Sequence, residues 1–323
     1  MFIRRALLAA LAVVCFVALD RAEAQNFPDK LIKIVVPYPP GGPSDVAARL
    51  VAQPLSTILG QSVIVENIAG AGGRIGAKAV AQASPDGYTL FLGGTNPNAI
   101  APSIYPNLTF EPMKDFRAVG IVSFDSNVLV VNAAVPVKTI QELLQYSKDN
   151  PGKLSSGATL GIGPHVSLEL LRARTGSSMN FIPYRGAAPA INDLLGNQIQ
   201  VGMSSKAVML PLINSGRLRG LAVTSDDRWP ELPDVPTMRE SKFEGIPALL
   251  WSGLLAPART PDAVIDKLNT AMIAAMKTPS VQTSLAKLGL KTKALTPQQF
   301  DAVLAEEARI WEAAVKESKM KLD

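Results

Sequence analysis

The sequence predicts an α/β protein with a largely parallel sheet, and three observations carry that reading. Short runs rich in Val, Ile and Leu alternate with amphipathic segments along the whole chain, as doubly buried strands and their crossover helices require. At least two strands lead through a glycine-rich turn straight into a helix, at residues 32–45 and 153–165. Apolar residues make up 47% of the chain, yet past the N-terminus no run is long enough to span a bilayer.

The first segment is expected to be removed. Arg4 and Arg5 precede an apolar run from Ala6 to Leu19, which ends in Ala22-Glu23-Ala24. This is the pattern of a secretory signal peptide, residues 1–24, cleaved before Gln25. The only cysteine, Cys15, lies inside it. Val14 before it is bulkier than a lipoprotein cleavage site prefers, so no lipid anchor is expected. The mature chain of about 299 residues then has no disulfide to form. Its formal charge falls from +5 to +4 and is spread out, with no basic stripe interleaved with aromatics, so nucleic acid is not a partner. One histidine and no mature cysteine exclude a zinc site, and no cofactor is called for.

Strands are expected at 32–36, 62–66, 88–93, 119–123, 127–131, 153–157, 179–183, 199–203, 218–223 and 250–255. The first helix shows Val46, Leu50 and Ile58 on one face, contains Pro54 as a kink, and stops at Gly60. Thr139-x-x-Glu142 and Thr296-Pro-Gln-Gln299 read as capping boxes. Gly176, Gly196, Gly216 and Gly289 read as helix stops, and helical segments at about 261–288 and 297–319 close the chain. The Pro-rich stretch 226–236 is the longest loop, either functional or a strut packed by Trp229.

Candidate site residues cluster at strand ends, where α/β sheets bind ligands. The turn Tyr38-Pro-Pro-Gly-Gly-Pro-Ser-Asp45 offers Tyr38, Pro40, Gly41, Gly42, Ser44 and Asp45. A helix N-terminus carries unpaired N–H groups and partial positive charge, and adjacent glycines let a small anion reach them. Asp45 is equally well read as ordinary first-turn chemistry. Residues 68–76, Ile-Ala-Gly-Ala-Gly-Gly-Arg-Ile-Gly, miss the dinucleotide spacing, since Gly76 stands one place late. They read better as a second backbone-lined wall. Gly93-Gly-Thr-Asn96 ends another strand with Thr95 and Asn96, where Thr95 is a ligand donor or a helix cap.

Thr159, Gly161 and His165 repeat the strand–turn–helix device, with Pro164 in the first helical turn. His165 is a lining residue or a cap rather than a catalytic base, because no G-x-S-x-G elbow accompanies it. Tyr184 and Arg185 follow one strand, and Ser204, Ser205 and Lys206 end another. Arg185 could clamp a carboxylate or simply be solvated. No enzyme activity is expected.

Five stretches in order complete the reading: residues 34–45, 65–73 (Val-Glu-Asn-x-x-Gly-Ala-Gly-Gly), 85–90 (Pro-Asp-Gly-Tyr-Thr-Leu), 183–186 (Pro-Tyr-Arg-Gly) and 221–225 (Leu-Ala-Val-Thr-Ser). They resemble the periplasmic solute-binding proteins of tripartite tricarboxylate transporters, the Bordetella uptake gene family, over essentially the whole mature chain. The resemblance implies a type II periplasmic-binding-protein fold, with two α/β lobes, a hinge and a ligand cleft between them. Lobe one is then 25–124 plus 250–323 and lobe two 125–249, with crossings near 122–128 and 248–252.

The resemblance also implies a monomer that binds a small carboxylate and serves integral-membrane permease subunits from the periplasm. A receptor feeding a sensor kinase is the alternative. The implied ligand contacts are the Tyr38–Asp45 turn opposed by Thr159–His165, with Thr95, Asn96, Tyr184, Ser204 and Ser205. Where similar proteins often carry an acid followed by a small polar residue, this chain has Ser204-Ser205. That departure favours mono- or dicarboxylates without a positive group, aromatic acids included, against which Tyr184, Met203 or Trp251 could pack.

Overall fold

The computed structural model describes residues 27–105, 107–247 and 249–320. The expected signal peptide and Cys15 lie outside them. Nine strands form one continuous sheet with two similar halves. In the first, β1 (Ile32–Val36) lies between parallel neighbours β2 (Val63–Asn67) and β3 (Thr89–Gly94), and β9 (Leu249–Pro257) joins β3 antiparallel. In the second, β5 (Ser155–Thr159) lies between parallel neighbours β6 (Asn180–Tyr184) and β7 (Val201–Ser205), and β4 (Phe116–Asn132) joins β7 antiparallel. β8 (Leu218–Val223) closes the far side of β4. The central strands β1 and β5 are therefore equivalent, and each feeds one of the two glycine turns singled out above.

β4 links the halves. It pairs with β9 over Phe116–Ser126 and with β7 from Asn127 onward. The sequence reading placed two strands here, at 119–123 and 127–131. The polar Ser123-Phe-Asp-Ser-Asn127 between them looks like a break but carries no glycine or proline. Antiparallel pairing with β9 continues through it, as Phe124 opposes Trp251 and Asp125 opposes Leu250.

The helices follow the sequence closely. α1 (Pro43–Leu59) ends at Gly60 in the left-handed conformation, φ +68°. α2 is Arg74–Ala81, α3 Ala101–Ile104 after a single π turn, and α4 Pro112–Asp115. α5 (Ile140–Asp149) is capped by the Thr139 hydroxyl, which accepts from Glu142 N–H. The Glu142 carboxylate accepts from Lys138 N–H instead of returning to Thr139, so this is not the full capping box expected. α6 (Gly163–Thr175) stops at left-handed Gly176.

α7 (Ala187–Leu195) ends at Gly196 with φ −79°, a conformation that does not need glycine. α8 is Lys206–Asn214. The single helix expected over 261–288 is two, α9 (Asp262–Met276) and α10 (Pro279–Lys287), because Pro279 cannot continue a helix. α11 (Pro297–Ser318) begins with the complete Thr296–Gln299 capping box. No helix among the described residues is long and apolar enough to cross a membrane.

The packing crosses between the two halves of the sheet. Phe300 and Leu304 at the start of α11 belong to the core of the first half, beside Phe91 and Trp251. Trp311, Ala314 and Val315 belong to the core of the second, beside Leu129, Val166 and Leu170, together with Ala99 and Ile100. α11 thus straddles both halves. Its end is fixed to α6 by a bidentate pair, Arg174 to Glu317 at 2.6 and 2.7 Å.

α11 also buries a carboxyl. Among the described residues Glu307 accepts only from Trp311 Nε1–H, at 3.1 Å, and burial pushes it up to about 7. Its folded value lies above the ordinary 4.5, so stability is lost as pH rises from about 4.5 through 7. Relative to wild type, Glu307→Gln is expected to gain on the order of 3 kcal/mol between pH 4.5 and 8. Urea denaturation at both pH values checks this; a constant difference would refute it.

Candidate functional site

The two glycine turns are built alike. In the first, Gly41 is left-handed at φ +80° and its N–H donates to Asp45 Oδ2 at 3.0 Å. In the second, Gly161 is left-handed at φ +74° and its N–H donates to His165 Nδ1 at 3.0 Å. In each, a residue in the first helical turn reaches back four places and clasps the loop against its own helix. A third strand end does the same, with Gly94 N–H donating to Asn98 Oδ1 at 3.0 Å.

The clasps account for the carboxylate and the imidazole among the candidates. Asp45 is buried, and Oδ2 also accepts from Arg49 Nε at 2.9 Å while Oδ1 accepts from Asn67 Nδ2 at 3.0 Å. The Arg49 guanidinium, then the Gly41 N–H, hold its carboxyl down to about 2. Asn67 Nδ2 also donates to the Tyr38 carbonyl, so one side chain ties both ends of the turn. His165 is buried and stacked on Phe181 at 4.0 Å between ring centroids. Burial holds its imidazole down to about 4, so it is neutral at pH 7, with Nδ1 as acceptor.

The clasps leave other donors free. Among the described residues nothing accepts from the N–H of Gly42, Ser44 or Asp45, at the positive end of a 17-residue helix. Pro40 is exposed beside them, and Ser44 makes no capping bond. The second turn reaches the end of β3 instead. Gly163 N–H, in the first turn of α6, donates to Asn96 Oδ1 at 3.1 Å, joining the end of β3 to the second half of the sheet. Gly163 is packed under Trp311, 3.0 Å from where a Cβ would stand, so α11 fixes that N–H in place.

Tyr38 Oη is buried without a hydrogen bond of good geometry. Burial pushes the phenol up to about 12, opposed by the neighbouring Asn96 amide. Gly73 lets residues 68–76 close against the Tyr38 ring. The Thr95 hydroxyl accepts from the Trp251 backbone N–H at 2.9 Å, which leaves its own O–H to donate.

Two equivalent helix N-termini, each with a clasped glycine turn, thus follow the central strands of the two halves of the sheet. The sequence matches the tripartite tricarboxylate transporter family receptors over residues 47–320. This chain belongs to that family. Among solved structures it is similar to the periplasmic binding protein BugD, with 35% identity, a TM-score of 0.79, and 91% of this chain and 99% of that one covered. It is similar to MatC from Rhodopseudomonas palustris with bound malate, with 31% identity, a TM-score of 0.79, and 90% and 100% covered. A third, an R. palustris protein with adipate, shows 31% identity, a TM-score of 0.81, and 91% and 99% covered.

The remaining candidates of this family member lie on the second lobe. Thr159 ends β5 at the turn itself. Tyr184 Oη is turned away to Asp193 Oδ2 at 2.7 Å, and burial with that carboxylate pushes it up to about 12. Ser204 and Ser205 end β7 opposite Val128 and Asn127, and Ser205 stands at the N-cap of α8 without a side-chain bond. Lys206 is buried and paired with Glu231 at 2.6 Å. Arg185 is exposed.

Sequence reasoning missed Arg49, Asn67 and Asn98. Arg49 and Asn98 stand four residues after Asp45 and Gly94, a spacing legible on a helix face. Asn67 comes into range only through the β1–β2 register, where it opposes Val36. Among the described residues no cluster of His, Cys, Asp or Glu could hold a metal ion.

Proposed function

We propose that this chain captures a small carboxylate in the cleft between its lobes and delivers it to the integral-membrane subunits of a tripartite tricarboxylate-type transporter. In this reading one carboxylate oxygen takes the free N–H groups at the start of α1, and the other takes the start of α6. Asn96 Oδ1, which accepts from Gly163 N–H, stands where that second oxygen would bind. The Gly163–Asn96 hydrogen bond between the lobes is the observation that carries the proposal. Thr159, Ser204 and Ser205 complete the lining, while Asp45 and His165 act through the turns they clasp.

The protein is placed in the periplasm on the reading of residues 1–24 as a leader, and it is taken to act as a monomer that returns its ligand unchanged. Lobe one is taken as 25–124 plus 250–323 and lobe two as 125–249, with the end of α11 seated on lobe two. A hinge at the crossings near 122–128 and 248–252 would let the lobes separate.

A thermal-shift screen of the mature protein against small carboxylates tests the proposal. A true ligand at 100 times its Kd should add about 2.7 kcal/mol of stability, a clear rise in Tm. A panel of mono-, di- and aromatic carboxylates that leaves Tm unchanged, while amines or sugars raise it, would refute it.

A further inference from the structure

We propose that Lys206 is a positioning residue for ligand capture, a brace across the hinge that favours the lobe arrangement of this structure before any ligand arrives; this rests on the two-lobed function proposed above. The crossing in β4 is short. Phe124 is tied to the segment after α10 by two backbone bonds, donating to the Lys291 carbonyl at 2.7 Å and accepting from Lys291 N–H at 3.1 Å. Three residues later Asn127 pairs with Ser205, the residue before Lys206. Gly289 and Lys206 are thus anchored on opposite sides of one crossing. The Lys206 stem spans them: a Cβ at Gly289 would stand 2.9 Å from its Cδ and Cε and 3.3 Å from its Nζ. Gly289 is left-handed at φ +66°, so the turn after α10 presents bare backbone to that stem.

The far end of Lys206 is held by the second half of the sheet. Its ammonium pairs with Glu231 at 2.6 Å and lies 5.5 Å from the centroid of the Trp229 ring. Both partners belong to the Pro-rich stretch 226–236, which packs Trp229, Leu232 and Val235 into the core beside Val128 and Val130. Trp229 Nε1–H also donates to Ser126 Oγ at 2.9 Å, inside the crossing itself. The stretch is therefore a strut that holds a buried cation against the other half. The Lys206 ammonium keeps the Glu231 carboxyl below its usual range, and Lys291 adds to that attraction from the far side of the crossing. Bending β4 between Phe124 and Asn127 carries Gly289 and Lys206 apart and uncovers the stem, so the brace opposes it. The Gly163–Asn96 bond is made in the same arrangement. Because Lys206 directly follows Ser204 and Ser205, the brace also sets where those two lining residues stand relative to the first lobe.

Distance distributions between two spin labels test this in the ligand-free mature protein. The only natural cysteine, Cys15, precedes the expected cleavage site, so Ala79→Cys on α2 and Ala173→Cys on α6, both exposed, give one label on each lobe. This reference protein is expected to populate a shorter and a longer distance. Lys206→Ala leaves Glu231 at the surface to be hydrated and is expected to raise the ratio of longer to shorter at least about fivefold. Gly289→Asn supplies a residue that tolerates the left-handed conformation but displaces the stem, and should act in the same direction. Both changes remove one contact, so Gly289→Asn should add little in a Lys206→Ala background. Urea denaturation checks that each variant is folded. A carboxylate that binds the closed arrangement should lose affinity by the factor by which that population falls. Unchanged distributions in the folded variants, additive shifts, or a reference protein with only the longer distance would overturn the brace. Any of these leaves the proposed function standing if the carboxylate screen succeeds. The predicted shifts, in a protein that no carboxylate stabilises, would uphold the brace as a hinge element and overturn the function.

Discussion

Replacing Gly42 with valine is expected to abolish carboxylate binding without disturbing the fold. Gly42 sits at φ −80°, ψ 169°, a region open to any residue, and the nearest atom to an added Cβ is the Pro39 carbonyl oxygen at 3.6 Å. The substitution is therefore unstrained, unlike one at Gly41 with φ +80°. Its methyl groups would cover the free N–H groups at the start of α1. Losing two hydrogen bonds to a charged ligand corresponds to at least about 100-fold in affinity. Arg185→Ala, by contrast, removes an exposed side chain and should change affinity by less than about threefold. Calorimetry on both folded variants checks the order. A silent Gly42→Val beside a dead Arg185→Ala would make the clamp an arginine and the backbone account wrong.

Asp45→Ala should be the most damaging change to the site's framework. It removes the acceptor of Gly41 N–H, Arg49 and Asn67 together, within a buried turn. A loss of roughly 2 to 3 kcal/mol is expected at pH 7, with binding weakened as the Tyr38–Gly42 turn loosens. Asp45 is held near 2 when folded against an ordinary 3.8, so its contribution is present above about pH 4 and is lost as pH falls through 2. His165→Ala should cost less, because the bond it removes is between neutral groups, although the Phe181 stack goes with it. Urea denaturation of both variants measures the difference. If Asp45→Ala loses binding with stability unchanged, the carboxylate touches the ligand and is not a clasp.

Much of this was legible in the chain because local chemistry and tertiary structure agree. The strand, glycine turn and helix at 32–45 and 153–165 are specified by adjacent residues, as are the Gly60 and Gly176 stops and the Thr296 capping box. The candidate residues gathered at strand ends for the same reason. Their individual roles were harder to read, because each depends on a partner chosen by geometry. The Asp45 carboxylate could serve a ligand or a loop, and the Gly41 N–H four residues before it decides. Asn96 was singled out, but its partner Gly163 lies 67 residues away and is brought to it only by the fold. β4 looked like two strands because polar residues interrupt its apolar run, whereas continuity comes from β9, more than a hundred residues later. The crossing of α11 between cores was hidden for a related reason. Phe300, Leu304 and Trp311 share one apolar pattern, and nothing in that pattern says that it meets two different cores.

The central claim, that one ligand is held by N–H groups from both lobes, requires closure. A ligand shifts an open–closed equilibrium only through its differential affinity for the closed form, and contacts from both lobes provide that difference. Small-angle scattering of the mature protein, with and without a saturating carboxylate taken from the screen, measures it most directly. The account predicts a smaller radius of gyration in the bound sample. An unchanged radius, with tight binding demonstrated in the same solution, would place the site within a single lobe and contradict the account.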